Sequence, residues 1–245
     1  MLSDVPTNYF DEAIARSYEA RWPELFEPAA IDPVVDVLAE LAGNGPALEF
    51  GIGTGRIAVP LYRRGTPMHG IELSPAMAGR LRANTDGADI AVTLGDFATA
   101  AAGGPYSLVY LIRNTITNLT SQDEQVAAFG NAAAHLRPGG YFVVENYVPA
   151  LRRLPPGQTT RIFMATPGHL GYEEYDTAAQ IAVSHHHWTL DDQHAGFSSP
   201  HRYVWPAELD LMARLAGMTL RHRWADWHRT PFTADSPDHV SVWAT

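Results

Sequence analysis

The sequence predicts an α/β fold built on a doubly wound, mostly parallel sheet of seven strands. Short apolar runs alternate with stretches of helical periodicity through the first 148 residues, which is the pattern of repeated β and α units. Glycines cluster where the first apolar run meets the next helix, and glycine at such a turn allows positive φ and close approach of a ligand. The 245 residues, 46% of them hydrophobic, are enough for one compact core carrying an insertion.

The elements of the first half follow one another in regular alternation. Asp32 and Pro33 have the form of an N-cap and a first helical position, and Gly43 is predicted to end that helix. Ser74 followed by Pro75 repeats the same start signal. The predicted strands cover residues 46–50, 68–73, 90–94, 106–112 and 141–145, and the helices between them cover 56–62, 74–84 and a segment beginning at Thr120 or Ser121.

The second half departs from this alternation. Short candidate strands over 161–166, 171–176, 180–190 and 196–205 predict an antiparallel β insertion that covers the active site. A helix over 206–216 follows, and segments 218–225 and 239–243 complete the seven-stranded sheet with an antiparallel last strand. We therefore expect four parts, namely an N-terminal lid helix (1–30), a core (31–148), the insertion (149–205) and C-terminal core elements (206–245).

The glycine-rich turn is the strongest functional signal. The run Glu49-Phe50-Gly51-Ile52-Gly53-Thr54-Gly55 has the spacing E-x-G-x-G-x-G, and Glu72 closes the next predicted strand. A carboxylate at that place can accept hydrogen bonds from both hydroxyls of a ribose, so the two features together indicate a nucleoside. The dinucleotide fingerprint G-x-G-x-x-G requires a sixth-position glycine, where this chain has Arg56.

This spacing resembles the first motif of the class I S-adenosylmethionine-dependent methyltransferases, whose core is Rossmann-like. Gly95-Asp96-Phe97 after the third strand and the turn 135–140 before the fifth strand extend the resemblance over about residues 38–148. The resemblance is to the small-molecule type, and the insertion looks similar in layout to those of amino-sugar and glycine N-methyltransferases.

The resemblance implies a set of residues that hold S-adenosylmethionine. In the family, the glycines line the methionine part, the first acidic residue lies near its amino group, the second holds the ribose, and the third meets the adenine beside an apolar neighbour. Carried onto this chain, the set consists of Gly51, Gly53 and Gly55, Glu49, Glu72 with Leu73, Asp96 with Phe97, and Ile112.

The N-terminal stretch 8–22 mixes aromatic with charged residues and lacks one clean apolar stripe. Related methyltransferases close such a helix over the cofactor with aromatic side chains, and the resemblance implies that role for Tyr9 and Tyr18. The alternative is that both tyrosines are half-buried packing residues.

Candidates for substrate contact follow the fourth predicted strand. Asn114 and Asn118 lie there, at the carboxyl edge of the sheet where ligands gather in open α/β folds. Both are expected either to orient a polar substrate or to cap the loop. The segment is not Asn-Pro-Pro-Tyr, which weighs against amide or exocyclic base nitrogens as methyl acceptors.

Histidines of the insertion are the candidates for a general base. The period of two in the strand 180–190 places His185 and His187 on one face, with His186 on the other, and His201 is a weaker substrate-binding candidate from the paired strand. An imidazole suits proton transfer at neutral pH. The alternative is a structural or solvent-facing role, and no metal is predicted because no matching carboxylate can be placed.

Composition restricts the partners. A formal net charge of −10 argues against DNA or RNA as the methyl acceptor. No apolar run reaches the length of about 18 residues needed to span a membrane. Cysteine is absent and the first residues lack the pattern of a signal peptide, so a cytoplasmic protein is expected, either a monomer or a homodimer.

The function expected from these patterns is direct SN2-type transfer of a methyl group from S-adenosylmethionine to oxygen, nitrogen or aromatic carbon of a small molecule, in specialised metabolism. S-adenosylhomocysteine is the expected product. Two alternatives stay open, namely a catalytically silent S-adenosylmethionine-binding regulator or assembly subunit, and an NAD-binding oxidoreductase.

Overall fold

The computed structural model describes residues 8–84, 89–190 and 193–245. In this part of the chain the helices are α1 (Glu12–Arg21), α2 (Pro28–Ala42), α3 (Ala58–Arg63), α4 (Pro75–Asn84), α5 (Gln122–His135) and α6 (Pro206–Leu215). The strands are β1 (Ala47–Phe50), β2 (Met68–Glu72), β3 (Ala91–Leu94), β4 (Tyr106–Leu111), β5 (Leu136–Tyr147), β6 (Thr160–Thr166), β7 (His169–Asp176), β8 (Ile181–Leu190), β9 (Gln193–Arg202), β10 (Thr219–Trp224) and β11 (Asp238–Ala244).

Seven strands form the central sheet in the order β10-β11-β5-β4-β1-β2-β3. The pairs among β1 to β5 are parallel, and β11 runs antiparallel to both of its neighbours. β1 and β4 are buried along their whole length, as expected for parallel strands covered on both faces. The predicted mostly parallel sheet with an antiparallel last strand is confirmed.

The insertion forms a second sheet of four antiparallel strands in the order β6-β7-β8-β9. Its best-paired members are β8 and β9, which are matched residue for residue from Ile181 opposite Arg202 to Leu190 opposite Gln193. The predicted antiparallel insertion is therefore confirmed, while the division of the chain into four parts stays a prediction. Residues 1–7 of the predicted lid lie outside the described residues.

Three predicted boundaries are wrong. α2 begins at Pro28, because that proline already occupies the first turn, and Pro33 lies inside the helix. α3 begins at Ala58, because the residues before it belong to the glycine turn. The turn predicted to precede β5 is part of the strand, as an irregular start in which Tyr106 pairs with Leu136 and the register then shifts.

Helices cover both faces of the central sheet. On one face, the ring of Phe129 from α5 packs edge-on against Phe142 of β5 and Trp243 of β11, with ring centroids 5.0 and 5.4 Å apart. On the other face, Leu38 of α2 and Leu61 of α3 are fully buried. In the part of the chain that the structure describes, no helix contains the apolar stretch of about 18 residues that a membrane span requires.

A buried polar cluster fastens the insertion to the core. We call Gln125, Gln180, Arg202 and Glu208 the Arg202 cluster. Arg202, the last residue of β9, donates hydrogen bonds from Nη1 to Gln125 Oε1 at 2.6 Å and from Nη2 to Glu208 Oε1 at 2.7 Å. The Gln125 amide donates back to the carbonyl oxygen of Arg202 at 3.1 Å. The end of β9 is therefore held by both α5 and α6.

The Arg202 cluster is expected to contribute strongly to stability, because the side chains of Arg202 and Glu208 are only 5% and 16% exposed. Glu208→Ala leaves the guanidinium buried without its counter-charge, and we expect the free energy of unfolding to fall by about 3 kcal/mol in denaturant titrations. The control is Glu12→Ala, which removes an exposed ion pair with Arg16 and should cost less than about 1 kcal/mol. Equal losses in the two variants would contradict an anchoring role.

Candidate active site

The turn after β1 takes a backbone path that requires glycine. Gly51, Gly53 and Gly55 have φ angles of 68°, 58° and 84°. A Cβ on Gly51 would lie 2.8 Å from Thr115 Cγ2, whereas a Cβ on Gly55 would meet the side chains of Val59 and Leu81. Gly51 therefore allows Thr115, in the loop after β4, to pack closely against the turn, and Gly55 allows close packing of Val59 and Leu81.

Glu72 holds this turn against the end of β2. Its two carboxylate oxygens accept hydrogen bonds from the backbone N–H groups of Gly53 and Ser74, each at 2.8 Å. Burial raises the pKa of Glu72, and these hydrogen bonds partly offset that rise. The Ser74 hydroxyl donates in turn to the carbonyl oxygen of Phe10 at 2.5 Å, which fastens the N-terminal segment beside the turn.

Glu49 is a buried acid at the floor of the site. It is 5% exposed, and its Oε2 accepts a hydrogen bond from the Tyr110 hydroxyl at 2.9 Å. Burial raises the pKa of Glu49 to about 8, against the opposing effects of Tyr110 and of the nearby Arg56 guanidinium. A buried acid and a neighbouring cation are thus placed together next to the glycine turn.

The loop after β4 is strained and is held by β5. Arg113 and Asn114 are non-glycine residues with φ angles of 56° and 62°. The backbone N–H of Arg113 donates to Glu145 Oε2 at 2.7 Å, and that of Asn114 donates to the carbonyl oxygen of Glu145 at 3.2 Å. Asn114 Oδ1 accepts the N–H of Tyr147 at 2.8 Å. A strained backbone of this kind persists only where hydrogen bonds and packing hold it in place, and it is typical of functional sites.

These elements enclose a cavity of about 250 Å³, which we call the main cavity. Its floor is the glycine turn, and one side is the loop after β4. Its cover is formed by α1, the residues that flank α1 and the inner face of the insertion sheet. Much of the cover is aromatic, and the rings of Tyr18 and Trp22 lie 4.9 Å apart. The lining from the cover is Phe10, Tyr18, Trp22, Leu25, His186, Phe197, Ser199 and His201.

The two histidines of this lining are held neutral. Burial is the main cause that lowers the pKa of His201 to about 4. Burial, together with the neighbouring His169, lowers the pKa of His186 to about 4. His186 Nδ1 lies 2.9 Å from His169 Nε2. Both imidazoles can therefore offer an unprotonated nitrogen at neutral pH.

A second cavity of about 290 Å³ adjoins the main one, and Asn114 lines both. Charged side chains of both signs surround it, namely Arg152, Arg153, Arg161, Glu173 and Asp238. Among the described residues, no group of three histidine or acidic side chains could hold a metal ion.

Comparison with known proteins identifies the family. Residues 47–140 match the family profile described as a methyltransferase domain. The structure is similar to that of the CcbJ methyltransferase from Streptomyces caelestis, with a TM-score of 0.84, 37% identity, and coverage of 97% of this chain and 98% of that chain. This chain belongs to the S-adenosylmethionine-dependent methyltransferases.

Two further relatives resemble this methyltransferase over nearly its whole length. It is 22% identical to the cypemycin N-terminal methyltransferase of a Streptomyces species, over 95% of this chain and 96% of that protein. It shares its fold with S-adenosylmethionine-bound CalS10, an amino pentose methyltransferase from Micromonospora echinaspora, at a TM-score of 0.71, 20% identity and coverage of 93% and 95% of the two chains.

The residues of the methyltransferase site fit the cofactor of the family, S-adenosylmethionine. Its methionine end carries an ammonium and a carboxylate, and the acid Glu49 and the cation Arg56 both line the main cavity. Gly51 and Gly53, which also line it, leave the backbone of the turn bare of side chains. The lining beside the glycine turn therefore offers one partner for each charged group of the methionine end.

The structure brings together half of the predicted residues at the main cavity. The predicted residues that line the main cavity are Tyr18, Glu49, Gly51, Gly53, Ile112, Asn114, Asn118 and His201. The predicted cofactor residues outside this lining are Tyr9, Gly55, Glu72, Leu73, Asp96 and Phe97. Glu72 still reaches the turn through Gly53, and Phe97 is buried against the ring of Phe50 with centroids 5.6 Å apart.

His185 and His187 are not at the main cavity, which corrects their predicted position. His185 lies on the outer face of the insertion sheet, where its Nε2 is 3.0 Å from Glu174 Oε2 and its ring stacks on Tyr172. His187 is exposed on the same face. Side chains alternate along β8 as predicted, but the face that lines the main cavity is the one that carries His186.

Several lining residues were missed by sequence reasoning. Arg56 could have been found, because it directly follows the glycine motif. Trp22 and Phe10 had a weaker signal, the aromatic content of the N-terminal stretch. Phe197 and Ser199 of β9 had no signal in the sequence, because only the pairing of β8 with β9 shows that their side chains face inwards.

Gly51→Ala tests the clearance of the turn in the methyltransferase. The added methyl group would meet Thr115, and we expect affinity for S-adenosylhomocysteine to fall at least about tenfold in calorimetric titration, or about 1.4 kcal/mol. Gly43→Ala is the matched control, because Gly43 has a similar φ of 57° with no atom within 4 Å of its Cβ. Gly43→Ala should lose stability but keep its affinity. Unchanged affinity in Gly51→Ala would place the cofactor elsewhere.

Proposed function

We propose that this enzyme methylates a small-molecule acceptor of specialised metabolism at oxygen, nitrogen or aromatic carbon. The observation that carries the proposal is the main cavity. Its floor is the glycine turn, and its cover, made by the N-terminal segment and the insertion, combines aromatic rings with the polar side chains of His186, Ser199 and His201. A cavity of this kind suits a small organic ligand fixed by a few polar groups. The names of the cypemycin and CalS10 enzymes support nitrogen acceptors and specialised products.

The cofactor contacts that we propose run from the floor of the cavity to the edge of the sheet. Arg56 pairs with the carboxylate of the methionine end, and Glu49 accepts from its ammonium. Glu72 accepts from the ribose, with Asp96 and Phe97 at the adenine. When bound, S-adenosylmethionine supplies an electrophilic methyl group, and the ring of Tyr18 in the cover provides a face for the sulfonium.

Positioning is the main contribution of this chain to the reaction. Holding the acceptor in line with the methyl group can remove roughly 7 to 11 kcal/mol of the barrier. The strained loop at Asn114 and the rigid strands β8 and β9 supply fixed walls for that purpose. The second cavity, which also borders Asn114, gives room for the part of the acceptor that does not react.

Three alternatives have less support. The chain's net charge of −10 disfavours a nucleic-acid acceptor. An NAD-dependent oxidoreductase lacks support because Arg56 occupies the sixth position of the dinucleotide fingerprint and projects into the main cavity. A catalytically silent subunit that only binds the cofactor would keep the floor of the site, but it would not need aromatic side chains that cover an acceptor.

A ligand panel followed by turnover tests the proposed function. S-adenosylmethionine and S-adenosylhomocysteine should raise the melting temperature, because ligand at 100 times its Kd stabilises by about 2.7 kcal/mol, whereas NAD should not. Isotopic methyl transfer to a panel of small amines, alcohols and phenols should then give product by mass spectrometry. Cofactor binding without turnover on any acceptor class would favour the silent subunit, and stabilisation by NAD alone would overturn the proposal.

The inner and outer histidines should differ in their effect on turnover. His186→Ala and His201→Ala remove side chains that line the main cavity, and each should lower kcat at least about tenfold with little change in the Kd of S-adenosylhomocysteine. His185→Ala and His187→Ala, on the outer face, should stay within about twofold of the parent. The reverse pattern would restore His185 and His187 as the candidates for the general base.

A further inference from the structure

A line of hydrogen-bonding side chains runs along one wall of the main cavity. Ser199 Oγ lies 2.9 Å from His201 Nε2, and His201 Nδ1 lies 3.4 Å from Thr117 Oγ1. All three side chains line the cavity. Ser199 and Thr117 are only 5% and 1% exposed, so the line is enclosed by protein except where it meets the cavity.

The direction of the hydrogen bonds in this line follows from Thr117. Its hydroxyl donates its single hydrogen to the carbonyl oxygen of Asn114 at 2.7 Å. Towards His201, Thr117 can then only accept, which requires the hydrogen of the neutral imidazole to be on Nδ1. Nε2 is left bare and accepts the hydroxyl hydrogen of Ser199. The Ser199 oxygen therefore presents lone pairs, and no hydrogen, to the cavity.

The carbonyl that sets this direction is itself fixed. Asn114 adopts a left-handed backbone conformation. Its backbone N–H donates a hydrogen bond to the carbonyl oxygen of Glu145, and its side-chain oxygen accepts one from the N–H of Tyr147. In the middle of the line, the backbone of His201 is held because Arg202, the next residue, is anchored in the Arg202 cluster. The fixed carbonyl and the anchored strand therefore set the polarity of the line.

We propose that Ser199 accepts a hydrogen bond from the atom to be methylated and that His201 takes up the proton this atom loses. This assignment rests on the proposed function and narrows its substrate class. The acceptor must bear hydrogen on its reacting atom, so it is a primary or secondary amine or a hydroxyl. A tertiary amine offers no hydrogen to Ser199, and methylation of an amine should therefore stop at the tertiary stage.

The proton and the electrons balance along this line. The acceptor atom uses its lone pair to bond the methyl carbon as the carbon–sulfur bond breaks, and the electrons of that bond stay on sulfur. The methylated atom then passes its hydrogen to Ser199 Oγ, whose own hydrogen moves to His201 Nε2. The resulting imidazolium is buried, and burial favours its return to the neutral form by loss of the proton to water.

The outer face of the insertion sheet also holds a serine–histidine contact. Ser198 Oγ of β9 lies 2.8 Å from Nδ1 of His185, its cross-strand partner on β8. That pair does not line the main cavity. Ser198→Ala is therefore the control for Ser199→Ala, with the same chemical change in the same strand.

The first test reads the histidine tautomer and needs no acceptor. Long-range 1H–15N NMR of the complex with S-adenosylhomocysteine should show His201, assigned by its loss in His201→Asn, as the neutral Nδ1–H tautomer. Ser199→Ala should shift its bare nitrogen and move the population towards Nε2–H, whereas Ser198→Ala should affect only His185. An Nε2–H tautomer in the parent protein, or no response to Ser199→Ala, would overturn the proposal.

The second test compares primary, secondary and tertiary amines of otherwise equal structure, together with an alcohol. The parent enzyme should methylate only acceptors with hydrogen on the reacting atom. Ser199→Ala should lower kcat roughly 100-fold at unchanged Kd for S-adenosylhomocysteine, and Ser199→Thr, which keeps the hydroxyl, should recover most of it. Quaternary ammonium products would refute the substrate class. Failure of every acceptor would count against the proposed function, while the tautomer measurement would still decide the relay.

Discussion

The buried pairing of Arg202 with Glu208 is the interaction on which the geometry of the site depends. It joins the last residue of the insertion sheet to a helix of the core, and Gln125 and Gln180 each accept a further hydrogen bond from the guanidinium. Burying two charges is costly unless each has its partners, so the arrangement tolerates little displacement. The inner face of β9 is thereby held over the carboxyl edge of the central sheet, where the glycine turn and the loop after β4 lie.

Two kinds of rigidity meet at the main cavity. The floor is rigid because backbone conformation is restricted, with glycines at positive φ and Glu72 bonded to the turn. The cover is rigid because side chains are packed and bonded, with aromatic rings around Trp22 and polar links through His201. A methyl transferase that works mainly by alignment needs both, because an error in either wall separates the reacting atoms.

Local signals in the sequence predicted the floor of the site, and longer-range pairing determines its cover. The glycine motif and Glu72 are close in sequence and carry their own conformational signature, so they could be recognised. His186 could be assigned to a face of its strand, but not to the inside, because that depends on how the whole sheet docks on the core. The inward position of Ser199 depends on the same docking, and the Arg202 cluster could not be predicted because Gln125 and Arg202 are 77 residues apart.

The alternation of β8 and β9 has a consequence for how this chain can vary. Ser198 and Ser199 are adjacent, and each has a histidine partner on opposite faces of one sheet. Because Arg202 holds the end of β9, loss of one residue just before it would exchange the two faces of β9 and put Ser198 in the place of Ser199 at the main cavity, while His185 would stay on the outer face. Relatives of this enzyme should therefore accept length changes at the far tip of the β8–β9 hairpin and resist them beside Arg202.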